Sequence, residues 1–187
     1  MKTAAALLLL TLAGCLHYQT EYMRDGATPP AVKDGEAIVV VFRPSTFGGN
    51  VQFPIFEFRD SEVDLMGFSE SGCYFEYRCP AGKHVFLTWG ESTAYIEADL
   101  APKKTYYIRC FAKMGILAPH PKFDPVCPGT EEWKNLDAEL KGLRLRELIP
   151  DKGETYEDSK EERAKKAKAS FEEGKKTPTV LKSDCGR

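Results

Sequence analysis

Nowhere in this chain of 187 residues is there an apolar run long enough to cross a bilayer. A spanning helix needs roughly 20 such residues. Charge of one sign is also missing: 26 Lys and Arg stand against 28 Asp and Glu, a formal net charge of −2. No basic stripe marks a nucleic-acid partner, and none is expected. Histidine is scarce, with three in all. His17, His84 and His120 lack the ligand-spaced neighbours of a zinc or calcium site. There is no G-x-S-x-G elbow, and no two cysteines stand at the C-x₂₋₄-C spacing of structural zinc. Neither a metal nor a cofactor is expected. What is present is ordinary for a globular domain: 42% hydrophobic and 29% charged residues.

The first segment is distinctive. Lys2 supplies a positive start, and Ala4 to Leu12 form an apolar stretch of nine residues. That length suits a secretory leader, which runs roughly 7–15 apolar residues. Leu12, Ala13 and Gly14 then precede Cys15. This order resembles the lipobox of bacterial lipoproteins. The resemblance implies a leader over residues 1–14, cleavage after Gly14, and acyl chains on Cys15. Leu16 rather than Asp follows, which by the same analogy implies sorting to an outer membrane, facing the periplasm. Residues 15–35 are polar, carry the breaker pair Pro29-Pro30 and read as a flexible tether.

An exported chain meets an oxidising compartment, so disulfides are expected. With Cys15 acylated, Cys73, Cys79, Cys110, Cys127 and Cys185 remain, an odd number. Cys110 and Cys127 fall on neighbouring predicted strands and are the expected pair. Cys73 and Cys79 flank an extended stretch and are not expected to bond to each other. Cys185 has Cys73, Cys79 or no partner.

From Glu36 the chain turns β-rich. Ala37–Phe42 is a dense apolar run, ended by Pro44. Further strands are predicted over Gln52–Arg59, Val63–Phe68, Cys73–Arg78, His84–Trp89, Thr93–Leu100, Thr105–Ala112 and Lys122–Cys127. Strands recurring at roughly ten-residue spacing predict a mainly β fold: an antiparallel β-sandwich of seven to eight strands over residues 36–128.

The period changes after that. Thr130 is an N-cap with Glu131 and Glu132 in the first turn, and Trp133, Leu136 and Leu140 share a helical face. Residues 129–150 are thus a helix and connector. Residues 151–187 hold 10 basic and 9 acidic residues. Thr155 with Asp158 predicts a capped, charged helix, ending near Gly174. Its apolar stripe (Tyr156, Ala164, Ala167, Phe171) is thin, so weak docking or none is expected.

Three motifs carry a second resemblance: Ala37-Ile-Val-Val-Val-Phe-Arg-Pro44, Cys79-Pro-Ala-Gly-Lys-His84 behind Tyr74-Phe75, and Lys104-Thr-Tyr-Tyr-Ile-Arg109. The block 36–128 resembles a family of bacterial lipoprotein domains of unknown function. That implies an exported β-sandwich and no established activity. The Pro80-Ala-Gly-Lys-His84 turn is one residue longer than the family's pattern.

Chemistry-bearing residues are thinly spread. His84 beside a turn is the most tempting, and a ring that bonds a backbone carbonyl is the commoner role for such a histidine. Ser69, Ser71, Ser92 and Thr93 have no accompanying base. Glu57 with Asp60 and Glu62 with Asp64 are candidate carboxylate pairs, although strand carboxylates usually face water. No catalytic residue is therefore assigned. Adjacent rings such as Tyr74-Phe75 and Tyr106-Tyr107 must alternate between sheet faces. Tyr74, Tyr95 and Tyr106 are the candidate binding face. The sequence leads to a non-enzymatic structural or protein-interaction module of the envelope, meeting the membrane through its anchor and another envelope protein. The alternative is a glycan or peptidoglycan-fragment binder that uses those rings.

Overall fold

A computed structural model describes residues 20–28, 31–44, 47–59 and 62–187. The leader, Cys15, His17, Pro29-Pro30 and Asp60 lie outside the described residues. Among them run eleven strands: β1 (Met23–Asp25), β2 (Glu36–Arg43), β3 (Phe53–Arg59), β4 (Glu62–Ser69), β5 (Cys73–Pro80), β6 (Gly82–Trp89), β7 (Thr93–Leu100), β8 (Thr105–Lys113), β9 (His120–Val126), β10 (Arg144–Leu148) and β11 (Thr179–Leu181). Two helices accompany them, α1 (Glu131–Lys141) and α2 (Pro150–Glu172). The fold is mainly β, and the eight strands β2 to β9 fall where the period-two pattern places them.

The strands form two sheets, ordered β1-β10-β5-β2-β8-β9 and β11-β7-β6-β3-β4. They are mixed, not purely antiparallel as expected. β10 lies parallel to β5, β2 to β8, and β11 to β7. The extra strands arise in segments read as tether, connector and tail. Each caps a sheet edge or extends it, leaving fewer unpaired backbone groups.

The sheets face each other across one core, a sandwich-like arrangement. Ala37, Val39, Val41, Phe75, Tyr106 and Ile108 of the first meet Phe53, Ile55, Phe86 and Ile96 of the second. Outer faces are covered too. On the first sheet, Leu136 of α1 packs on Val40, Phe42, Tyr107 and Val126. Thr130 caps this helix as predicted: its hydroxyl accepts from the Trp133 N–H at 3.2 Å.

On the second sheet, α2 is firmly docked, against expectation. Tyr156 packs near Phe56 and Phe68, and Phe171 near Phe58 and Tyr95. Ala164 and Ala167 are buried. The thin stripe suffices because small alanines let the helix approach, and the sheet supplies the aromatic surface. The helix begins five residues before the predicted cap: Pro150 takes its first turn, a position where proline's missing N–H is harmless. Gly153 in that turn is required by space, since a Cβ there would sit 2.8 Å from Leu148.

The two ends of the sandwich differ. At the upper end, the Gly72 N–H of the β4–β5 turn donates to the carbonyl of Arg43, the last residue of β2. The lower end holds the start of β2, where Glu36 pairs with Pro80. The tail closes there: Cys185 is bonded to Cys127, 58 positions away. Gly186 lies flat on the Tyr106 ring, where a Cβ would come within 2.6 Å. Arg187 exchanges backbone hydrogen bonds with Thr105, and its guanidinium reaches Tyr107 and Asp137.

The expected Cys110–Cys127 bond is thus corrected. Cys110 lies across from Phe123 in the β8–β9 ladder. Cys127 is four residues further on, roughly 13 Å along the strand, beyond disulfide reach. Among the described residues, Cys73, Cys79 and Cys110 are free thiols, all buried.

Candidate functional site

The lower end concentrates the titratable side chains. β3 alternates Phe53, Ile55 and Glu57 inward with Phe56 and Phe58 outward, so a carboxylate points into the core. Glu57 is fully buried. It accepts hydrogen bonds from the Tyr77 hydroxyl of β5 and from Nδ1 of His84 on β6. Arg59 stands 3.6 Å away. The other ring nitrogen of His84, Nε2, lies 2.8 Å from the Pro80 carbonyl. One carboxylate therefore ties both sheets and the β5–β6 turn together.

Burial alone would raise the Glu57 pKa. The hydrogen bonds from His84 and Tyr77, with the charges of His84 and Arg59, outweigh it and hold the carboxyl below its ordinary value. Tyr77 is pushed far up by burial and by its bond to Glu57. Burial also lifts the Cys79 thiol to about 12 and the Cys110 thiol to about 11, and raises Cys73. All three remain thiols near neutrality and are poor nucleophiles.

Beside this cluster, on the outer face of the second sheet below α2, is a cleft of about 660 Å³. Phe58, Val85 and Val180 give it an apolar floor. Lys83, Lys182, Glu97, Asp99 and Asp184 give it charges of both signs. β11 forms one wall, so the tail contributes to the site. Both ring nitrogens of His84 are engaged with acceptors, which leaves neither directed at a substrate. The arrangement can bind an extended segment of mixed charge, with apolar contact below and ion pairs at the rim.

The sequence-predicted residues do not converge here. Tyr74 is half-buried near α1, on the first sheet's outer face. Tyr95 is buried under α2, its hydroxyl donating to the Ala167 carbonyl at 2.9 Å. Tyr106 is wholly buried between the sheets, donating to the Ser183 carbonyl at 3.0 Å. The three rings occupy three different faces, so the shared aromatic face is overturned. For Tyr74 and Tyr95 the helices are the reason, since their sheet faces meet α1 and α2 instead of water; Tyr106 faces the core between the sheets. Asp64 pairs with Arg59 at 2.5 Å, and Glu62 is exposed. Ser69 and Ser71 are buried. His120 opens β9 across from Lys113.

Sequence reasoning missed two buried arginines at the upper end. Arg43 is wholly buried and donates to the carbonyls of Val51, Ser69, Phe47 and Gly48. Burial lowers its pKa. Arg146 is paired with Glu70 at 2.8 Å and Asp25 at 2.7 Å, and donates to the Met23 carbonyl. An arginine at an inward position of a predicted strand, as at Arg43, is the signal that was present.

Among the described residues, no group of three His, Cys, Asp or Glu side chains is placed to hold a metal ion. No described helix is long and apolar enough to cross a membrane. Compared with protein-family models, curated proteins and solved structures, the chain matches none.

Proposed function

We propose that this chain is a lipoprotein of a bacterial cell envelope, acylated at Cys15, sorted to the outer membrane and facing the periplasm. Its sandwich acts as a non-enzymatic module that binds another envelope protein through the cleft at its lower end. One observation carries the reading. Thr20, five positions after Cys15, is already fixed to the upper end, its N–H donating to Glu70 at 2.7 Å. The cleft opens at the opposite end. A lipid on Cys15 would therefore hold the upper end at the membrane and turn the cleft outward. The Cys127–Cys185 bond supports an oxidising compartment. The glycan reading has lost the tyrosine face on which it stood.

Cys15→Ser is expected to release the protein from the membrane fraction, and intact-mass analysis is expected to show a cleaved, acylated chain. An uncut, unmodified first segment would overturn the anchor. For the module, co-purification from detergent-solubilised envelope is expected to recover a stoichiometric protein, and Lys83→Glu with Lys182→Glu to reduce that recovery. Recovery of no such protein counts against the interaction reading.

A further inference from the structure

The hairpin joining β8 to β9 carries an apolar tip that the rest of the fold does not use. Ile116 is 94% exposed, Leu117 92% and Met114 74%. Most exposed apolar side chains are scattered singly and need no explanation. These three lie within four residues, on a projection and not in a groove.

The tip is also built. Glu91, in the β6–β7 turn, accepts the backbone N–H groups of Leu117 at 3.2 Å and Ala118 at 3.1 Å. A bond from Ile116 joins them, and together these backbone donors draw the Glu91 carboxyl below its ordinary value. Gly115 permits the close approach, since a Cβ there would run into the Glu91 carboxylate and the Ala118 carbonyl. Bonding to the exposed Glu91 carboxylate satisfies these N–H groups within the chain and leaves the side chains of the tip outward. In an apolar medium, backbone donors need internal partners. Behind the tip, Lys113 and Lys122 place their ammonium groups 5.9 and 5.5 Å from the Phe111 ring centroid. Lysines at that position suit an anionic headgroup layer.

Position completes the argument. β8 runs parallel to β2, so its far end and the hairpin lie at the upper end. The turn that binds Thr20 lies there too. Five residue steps from Cys15 to Thr20 span at most about 18 Å, whatever their path. We propose that the Met114–Leu117 tip inserts into the lipid surface as a second membrane contact, with Lys113 and Lys122 at the headgroups. The proposal rests on the lipoprotein reading, which supplies the membrane at this end. It adds a second point of membrane contact at the end that the anchor already holds.

The test uses the full-length Ile116→Trp variant in phosphatidylethanolamine–phosphatidylglycerol vesicles, with a fraction of the lipids brominated along the acyl chain. Intact mass of the same preparation reports acylation at Cys15. Relative to wild type, whose Trp89 is buried and whose Trp133 packs on α1's own side of the sheet, the added indole is expected to lose most of its emission. Adding Leu117→Asp is expected to weaken insertion roughly tenfold or more. Acylated protein without added quenching overturns the insertion and leaves the anchor standing. Quenching on unacylated protein overturns the anchor and leaves the insertion. Neither quenching nor acylation overturns both. Crosslinking of residue 116 to a protein in native envelope, with no bromolipid quenching, also overturns the insertion in favour of a protein contact.

Discussion

The two ends of the sandwich bury charge in opposite ways. The upper end buries cations: Arg43 among carbonyl oxygens, and Arg146 between Glu70 and Asp25. The lower end buries an anion, Glu57, held by a phenol and an imidazole. A guanidinium keeps its charge across the accessible pH range, whereas a carboxylate does not. The lower end also carries the disulfide. Reductant therefore acts at the lower end, where acid also reaches Glu57, while the guanidinium groups of the upper end keep their charge.

The largest expected effect tests the upper end. Arg146→Met leaves Glu70 buried without its cation, which costs about 3–5 kcal/mol. The denaturant midpoint reads it directly, and a loss below about 1 kcal/mol would show that the end is held by its apolar contacts instead. At the lower end, Cys185→Ser opens a closure spanning 58 residues. The chain-entropy model puts this at about 4 kcal/mol, and reductant on the wild type should reproduce it. Equal unfolding midpoints with and without reductant would contradict the assignment.

Glu57→Gln comes third. It keeps the shape and removes the charge, at an expected cost of about 1.5–3 kcal/mol. The pH dependence sharpens the contrast. The Glu57 carboxyl is depressed in the folded state. Its contribution is therefore complete above the unfolded value of about 4.3 and fades as pH falls through the lower folded value. Wild type should lose this increment in acid, while Glu57→Gln shows a shallower acid limb. Parallel limbs would remove Glu57 from the account. The smallest effect is Tyr95→Phe, which removes the side-chain donor to the Ala167 carbonyl and should cost about 1 kcal/mol. It separates α2 docking from both ends.

Much of this was legible in the sequence. The eight strands β2 to β9 follow from alternation and turn residues, and α1 from the Thr130 cap. What escaped was anything set by distant partners. Met23–Asp25 is three residues long and becomes a strand because β10 pairs with it. Thr179–Leu181 needs β7 in the same way. Cys127 found Cys185 because the tail returns to Tyr106, a path that spacing does not encode. Glu57 was legible as a candidate carboxylate, and its surroundings were not. The run Phe53-Pro-Ile-Phe-Glu-Phe58 is apolar on both faces, a sign that β3 is covered twice, and a solvated carboxylate does not fit such a strand.

The edge pairings have a kinetic consequence. Met23 lies opposite Leu148, and Thr179 opposite Ile96. Such wide separations slow folding, because chain ends must meet before the ladder rewards them. Until they arrive, β10 and β7 each present a bare edge that a second molecule can occupy. A nascent copy is thus most vulnerable to mispairing at the two strands that its own late-arriving segments later seal.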